Sequence, residues 1–567
     1  MIMFHCFILV SFIVHSVTGV NENGSSTNNI GTSDGVAVQP LVYVVLTARN
    51  EELTLPYFLT YFELLSYPTS RMILHIRADH CDDRTVDILD EWLDQNGHRY
   101  LRVDAVLNKA REGFRVKCNV SNNIEENGSR LVKLKTEAFY SAQKSDADYV
   151  LFLDTDVFLL NTNVIGDLIG FDHTIVSPML QSTRDYSNFW GAMSEEFYYE
   201  SSELFYSIFD RKVSGCFSVP LVRSFVLIDL HNPSVRRISF DANSITELEI
   251  PYDDYITFAV SSALAGITTH ICNDKEYGLV VHPRAPAGPS DIYKKLIRDL
   301  KVRSARSRVL LGANAKFVKY LPPPVLKDKA GLDQVYYLNL DKRKDRREQM
   351  EYILDTVGIA AQRVQAVDGN DLTEEVKNEL GVKEIEGFLD PNLHRPVSRG
   401  EMGGTITHYN IWNNIIDNKY EKAMVFEDDV QFFPNFKENL RSLLAHLANA
   451  RIEWDFIFLG YKDLEAELPK LEVPGAPMLE VSKYSYWLVG YLISQSGALK
   501  LVNADPLSKI LACDEFLPIM YDRSPLTEYK HLFPNRNLIA YSASPPLLEP
   551  RFFKGEHGYV SDSEAIL

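Results

Sequence analysis

Short runs of β-branched and aromatic residues recur along this chain, and each breaks off into polar, often acidic, residues. Leu41-Val-Tyr-Val-Val-Leu46, Arg71-Met-Ile-Leu-His-Ile76 and Tyr149-Val-Leu-Phe-Leu153 have the length and composition of buried strands. Thr85 to Leu93 and Leu131 to Ala142, lying between them, predict helices. Strands alternating with helices predict a mainly parallel sheet with right-handed crossovers. After Leu321-Pro-Pro-Pro324 the pattern restarts. Gln334 to Leu340 predicts a strand, and Lys342 to Val357 a charged amphipathic helix. Ser398 is placed to cap a helix carrying Met402, Ile406, Tyr409 and Ile416 on one face. Ala423 to Phe426 and Phe456 to Leu459 predict further strands. The fold class is α/β, as two Rossmann-like units in tandem, and 567 residues exceed what one core holds.

The boundaries follow from composition. Met3 to Val14 is apolar and Val17-Thr18-Gly19 offers small residues, so residues 1–19 predict a signal peptide. Its n-region carries no Lys or Arg, and the competing reading is an anchor, although the run is shorter than the ~20 residues needed to span. No other segment has the length and apolarity to cross a bilayer. Residues 20–38, rich in Asn, Ser, Thr and Gly, predict a flexible leader. The first unit then covers 39–300, a linker 301–330, the second unit 331–550 and a tail 551–567. Asn23, Asn119 and Asn127 head N-x-Ser sequons, which agree with glycosylation in a secretory compartment. Of the cysteines past the signal, Cys81, Cys118, Cys216 and Cys272 fall in the first half, which predicts one or two disulfides there, and Cys513 stands apart. The net charge of −19 argues against nucleic acid and fits a basic polypeptide partner weakly.

Two of the strand ends carry chemistry. Asp154-Thr-Asp156 follows one apolar strand and Glu427-Asp428-Asp429 another. The carboxyl ends of strands are where open α/β sheets bind ligands. Carboxylates there, without a P-loop or glycine fingerprint, suit a hard divalent ion holding a diphosphate. Three successive carboxylates repel one another, and a cation relieves that. Arg343, Arg346 and Arg347 follow a strand and have two readings, a phosphate clamp or a solvated helix face. Asn50, Glu51 and Glu52 face either a nucleotide or a helix start, and Asp82-Asp83 either a ribose or metal, or a turn. Asp253-Asp254 reads equally as a base or a surface turn. Asp514-Glu515 sits in apolar company, where burial would raise a carboxylate pKa to suit a base, and a helix N-cap competes. His408 reads as a packed, hydrogen-bonded residue rather than a ligand. No zinc spacing and no G-x-S-x-G hydrolase signature is present.

Val335-Tyr-Tyr-Leu-Asn-Leu-Asp341 with Arg343 and Asp345-Arg-Arg347, Ala366-Val-Asp-Gly369, Arg399-Gly-Glu401 and Thr407-His-Tyr-Asn-Ile-Trp412 follow one another in the second half. Val425-Phe-Glu-Asp-Asp429, Trp454-Asp-Phe-Ile457, Ser485-Tyr-Trp487, Pro506-Leu-Ser-Lys509 and Asp514-Glu-Phe-Leu-Pro518 continue the series. This ordered set resembles glycosyltransferase family 25. With the first half, the resemblance runs from about residue 40 to Glu564 and is to the animal two-domain form.

The resemblance implies two GT-A-like glycosyltransferase domains. It implies inverting, metal-dependent transfer of galactose from UDP-galactose to 5-hydroxylysine of procollagen, with Mn2+, in the endoplasmic reticulum lumen. An inverting transfer needs a base on the acceptor and a metal on the leaving diphosphate. On this basis Glu427, Asp428 and Asp429 hold the metal, and Asp514 or Glu515 is the base. Asp154, Asp156, Arg343 and Arg346 bind the nucleotide sugar. Bacterial relatives often consist of the second unit alone, which favours that unit as the catalytic one. Homodimerisation is implied by size and family. The competing reading is a non-catalytic adhesion or scaffold protein, because the family includes an adhesion-type relative. The chain departs from the pattern twice. It stops at Ser563-Glu-Ala-Ile-Leu567 without an Arg/Lys-Asp-Glu-Leu retrieval signal, and it has Gly403-Gly404 where Gly-Cys is more usual.

Overall fold

The computed structural model describes residues 38–109, 122–182, 186–246, 248–281, 290–391, 394–554 and 559–562. The expected signal peptide, nearly all of the leader, Asn23, Asn119 and Cys118 lie outside the described residues. Two compact units form, one from residues up to Leu300 with Gly312–Pro322, the other from Lys301–Leu311 with Pro323 onward. The stretch 301–330, expected to be a linker, is thus divided between the two. Among the described residues no helix is long and apolar enough to cross a membrane.

The first unit is built on β1 (Val42–Ala48), β2 (Met72–Cys81), β3 (Arg102–Lys109) and β4 (Tyr149–Asp154), with β5 (Ile175–Pro178), β6 (Cys216–Val219), β7 (Phe225–Asp229) and β8 (Thr269–Cys272). Their order in the sheet is β6-β8-β5-β7-β4-β1-β2-β3. Strands β3, β2, β1 and β4 are parallel, and β7 runs antiparallel beside β4. Helices α1 (Leu55–Glu63), α2 (Thr85–Asn96) and α3 (Asn122–Gln143) make the crossovers. Because helices cover the sheet, β1 is buried almost continuously rather than on alternate residues. Asn127 falls within α3. β2 extends to Cys81, five residues beyond the apolar run that announced it. Cys216 and Cys272 face each other across β6 and β8 and are joined in a disulfide. Cys81 and Cys513 are free and buried.

The second unit repeats the plan with β9 (Gln334–Asn339), β10 (Gln362–Gln365), β11 (Lys422–Phe426), β12 (Phe456–Asp463), β13 (Glu472–Val473), β14 (Ala476–Val481), β15 (Ser485–Ser494) and β16 (Ala540–Ala543). The sheet order is β10-β9-β11-β15-β12-β16-β14-β13. β10, β9 and β11 are parallel, and β15 runs antiparallel beside β11. In each unit, therefore, the first strand lies between the second strand and an acid-ended strand, and an antiparallel strand follows.

Helix α4 (Asp254–Leu264) belongs to the first unit, and helix α5 spans Lys344–Val357 in the second. Helix α6 (Arg399–Asp417) begins in a capping box: Glu401 N–H donates to Ser398 Oγ at 3.1 Å, and Ser398 N–H donates to Glu401 Oε2 at 2.7 Å. Its first turn lies directly on the Ala366–Gly369 loop. A Cβ on Gly403 would stand 2.5 Å from the Val367 carbonyl oxygen, whereas one on Gly404 would meet nothing within 4 Å. Gly403→Ala is expected to lower the unfolding midpoint. The steric cost of about 1–3 kcal/mol exceeds the helix-propensity gain of about 1 kcal/mol. Gly404→Ala, which keeps only the gain, should leave the midpoint unchanged or raise it. Urea titration of both variants checks the pair, and equal effects would contradict this packing.

Candidate active site

The two acidic strand ends occupy the same place in their respective sheets. Asp154 N–H donates to the Ser224 carbonyl at 2.8 Å, and Glu427 N–H donates to the Val489 carbonyl at 3.0 Å. Two residues on, the Asp156 carbonyl accepts from Val281 N–H at 3.1 Å and the Asp429 carbonyl from Arg551 N–H at 2.7 Å. A three-residue strand follows each turn, Val157–Leu159 and Val430–Phe432, and each pairs antiparallel with a late strand. Asp154 thus corresponds to Glu427, Thr155 to Asp428, and Asp156 to Asp429.

Their surroundings differ. In the second unit Glu427, Asp428 and Asp429 line a cleft of about 790 Å³ together with Asp514, Trp487 and Lys462. Asp428 accepts from Asn339 Nδ2 at 2.7 Å and from Arg346 Nη1 at 3.0 Å, and the same Nη1 reaches Asp429 at 3.1 Å. Loss of solvation holds Asp428 above the usual carboxylate range, and Asp429 adds to it. Glu427 keeps 38% of its side chain exposed. Its carboxyl is pushed well up, by desolvation and then by Asp429, Asp514 and Asp428. Its nearest potential cation is His408 Nε2, at 3.7 Å. That imidazole is buried against Tyr491 Oη at 3.0 Å, and burial depresses its pKa to about 3, so it is neutral at physiological pH. Among the described residues Arg346 is the one cation whose side chain hydrogen-bonds these carboxylates.

Helix α7 (Cys513–Met520) brings Asp514 and Glu515 to the same cleft in its first turn, while Ala512 takes the N-cap position. The two carboxylates separate cleanly. Glu515 is 1% exposed and pinned by the hydroxyls of Tyr484 at 3.0 Å and Tyr486. Asp514 is half-buried and accepts one long bond, 3.4 Å, from Trp487 N–H. Trp487 takes a φ of 74°, in the left-handed region that non-glycine residues seldom enter. Burial raises Asp514 to about 6 and Glu515 to about 7.

In the first unit Asp154 receives the Tyr255 hydroxyl on both oxygens, at 3.0 and 3.1 Å. Lys135, itself buried, sits 3.7 Å over the Tyr255 ring and pairs with Asp254 at 2.6 Å. The Arg223 guanidinium lies 5.0 Å from the same ring. Two internal cations therefore face the carboxylate whose counterpart in the second unit has a neutral histidine. Glu51 shares this site, and desolvation, then Asp156, lift its carboxyl to about 8.

Several other polar candidates have structural duties. Asp83 accepts from the backbone of Glu52 and Thr85 at 2.9 Å each, and Asn50 accepts from Asp82 N–H at 2.8 Å instead of capping α1. Asp253 caps the helix Asp254–Leu264. Arg347 is bonded to Asn339 at 2.9 Å. Arg343 and Arg346 point inward, 13% and 11% exposed, and both hold Asp562 of the tail. Residues 559–562, within the expected 551–567 tail, line the cleft. Among the described residues no group of three or more His, Cys, Asp or Glu side chains is disposed to chelate a metal, because Arg346 draws Asp428 and Asp429 to itself. Sequence reasoning missed Arg551, buried against the acidic turn, although it follows the strand Leu548–Pro550 much as Arg343 follows β9.

The model of the glycosyltransferase family 25 N-terminal domain matches residues 39–295, and that of glycosyltransferase family 25 (LPS biosynthesis protein) matches 332–517. The chain belongs to glycosyltransferase family 25. A glycosyltransferase 25 family member of Drosophila melanogaster is 38% identical over 538 residues, covering 93% of this chain and 87% of the relative. Procollagen galactosyltransferase 2 of Mus musculus is 36% identical over 544 residues, covering 96% and 86%. Procollagen galactosyltransferase 1-A of Xenopus laevis is 37% identical over 529 residues, covering 93% and 85%. The protein is a family 25 glycosyltransferase with two α/β domains in tandem.

Proposed function

We propose that the second unit transfers galactose from UDP-galactose to 5-hydroxylysine of collagen chains with inversion at the anomeric carbon. The observation that carries this reading is one cleft that joins an acidic strand end to a separate, half-buried carboxylate, Asp514. The names of the similar procollagen galactosyltransferases support the donor sugar and the acceptor. Asp514, raised to about 6, is ionised at neutral pH yet basic enough to take a proton. It removes the proton of the 5-hydroxyl as that oxygen attacks the anomeric carbon. The bond from that carbon to the diphosphate oxygen breaks on the opposite face. UDP leaves with the electron pair, and the proton stays on Asp514. Glu515, held by two tyrosines, positions the first turn of α7 instead of touching substrate.

Glu427 and Asp429 would hold a divalent cation as hard oxygen donors, while Asp428, fixed by Asn339, orients Arg346. A bound Mn2+ supplies positive charge to the departing diphosphate. The cystine Cys216–Cys272 supports residence in an oxidising lumen such as the endoplasmic reticulum.

The test is incubation of the full chain with UDP-galactose, Mn2+ and a hydroxylysine-bearing collagen peptide. UDP release together with a β-galactosyl peptide is the expected result. An α-linked product would overturn inversion. Folded protein that releases no UDP and modifies no peptide would turn the reading to a non-catalytic scaffold.

A further inference from the structure

Four guanidinium groups meet beside Asp429. Arg308, Arg343, Arg346 and Arg551 line one small cavity with it, and Tyr559 and Val560 complete the wall. Arg551 is 3% exposed, and its Nε is buried without a hydrogen-bond partner. Its other nitrogens are spent on Gln349 and on the Asp428 carbonyl at 3.2 Å. A buried guanidinium N–H without an acceptor is costly, and its presence marks a place for an anion. Arg343 also makes paired contacts at 3.1 Å with Asp345, so it is anchored from one side and presents its remaining donors to the cavity.

The tail sets an anion against two of these arginines from the side of the large cleft. The Asp562 carboxylate bonds Arg343 and stands 3.7 Å from Arg346, and the Val560 carbonyl accepts from Arg346 Nη2 at 2.6 Å. With this strap in place the cavity holds about 20 Å³, room for one water and no phosphate. We propose that the four-arginine cavity is the diphosphate subsite of the cleft, that Asp562 pairs with two of its arginines as an internal stand-in, and that residues 559–562 are displaced when a nucleoside diphosphate binds. The inference rests on reading the cleft as a UDP-sugar site.

The chemistry favours the exchange. A diphosphate brings more negative charge and more acceptor oxygens than one carboxylate, and guanidinium groups pair with phosphate in bidentate fashion. The strap then acts as a tax on donor affinity, equal to the fraction of molecules in which it is open. It also keeps the arginines paired when no donor is present.

Calorimetric titration of the full chain and of Asp562→Ala, with UDP plus Mn2+ and separately with uridine, tests this. Loss of the stand-in should tighten UDP about tenfold, the scale of a charge-assisted contact. Uridine, which has no phosphate to compete, should bind both proteins alike. If UDP binds wild type and variant equally, or the variant more weakly, the stand-in role fails and the UDP reading survives. An equal gain for uridine and UDP would mean general steric blocking and would overturn the phosphate assignment. Failure of UDP to bind either protein would remove the reading of the cleft and this inference together.

Discussion

Asp514→Asn is expected to lower kcat for galactosyl transfer by about 10²–10⁴, the range for loss of a general base, with KM for UDP-galactose changed by no more than about twofold. Asparagine keeps the shape and the acceptor for Trp487 N–H, so the loss reports proton transfer and not collapse of the turn. The pH profile separates this from a structural effect. Asp514 must be ionised to act, so the wild-type rate climbs about tenfold per pH unit below its value of about 6 and levels off above it. The asparagine variant should show no such limb. Glu515→Gln should keep the limb, because that carboxylate is locked between Tyr484 and Tyr486. A lost limb in Glu515→Gln with an intact one in Asp514→Asn would exchange their roles.

The same carboxylates weaken the fold at neutral pH. Asp514 and Glu515 titrate near 6 and 7 in the folded protein and near 4 when unfolded, so the folded state holds their protons more tightly. Their contribution to stability is full below pH 4 and is lost as pH rises through 6 to 7. Asp514→Asn should therefore raise the thermal midpoint at pH 8 while abolishing turnover. A stabilised, inactive variant is the expected signature of a site that stores an unfavourable charge for chemistry.

What was legible beforehand was local. The apolar runs of β1, β4, β9 and β11 and the Ser398 capping box are written in consecutive residues, and they appeared where expected. β2 was foreshortened because Arg77, Asp79 and His80 interrupt its apolar pattern while its ladder to β3 carries on through a bulge. Asn50 offered a nucleotide or a helix-start reading and Asp83 a ligand or a turn reading, and each instead accepts a backbone N–H from a loop some thirty residues away. The cleft itself was illegible beyond its acids. Arg551 meets Gln349 across 202 residues, and Arg343 meets Asp562 across 219. Spacing within a motif cannot encode such pairs. The two acidic turns looked alike for the same reason, since what separates them lies on other strands.

That separation predicts unequal mutants. Asp429→Ala should abolish transfer with folding intact, a loss of about a thousandfold or more, because the charge on the departing diphosphate then has no ion held against it. Asp156→Ala, at the equivalent position of the first unit, should cost much less. The physical ground is the counter-charge. Behind Asp154 the Tyr255 hydroxyl is backed by Lys135 and Arg223. Behind Glu427 stands a neutral His408, and the crowding of Asp428, Asp429 and Asp514 lifts its carboxyl further. On the proposed reading this is the turn that takes the cation. Thermal shift makes the comparison independent of activity: added Mn2+ should stabilise the wild type and Asp156→Ala alike, and Asp429→Ala hardly at all. Folded but inactive Asp156→Ala beside active Asp429→Ala would move the catalytic role to the first unit.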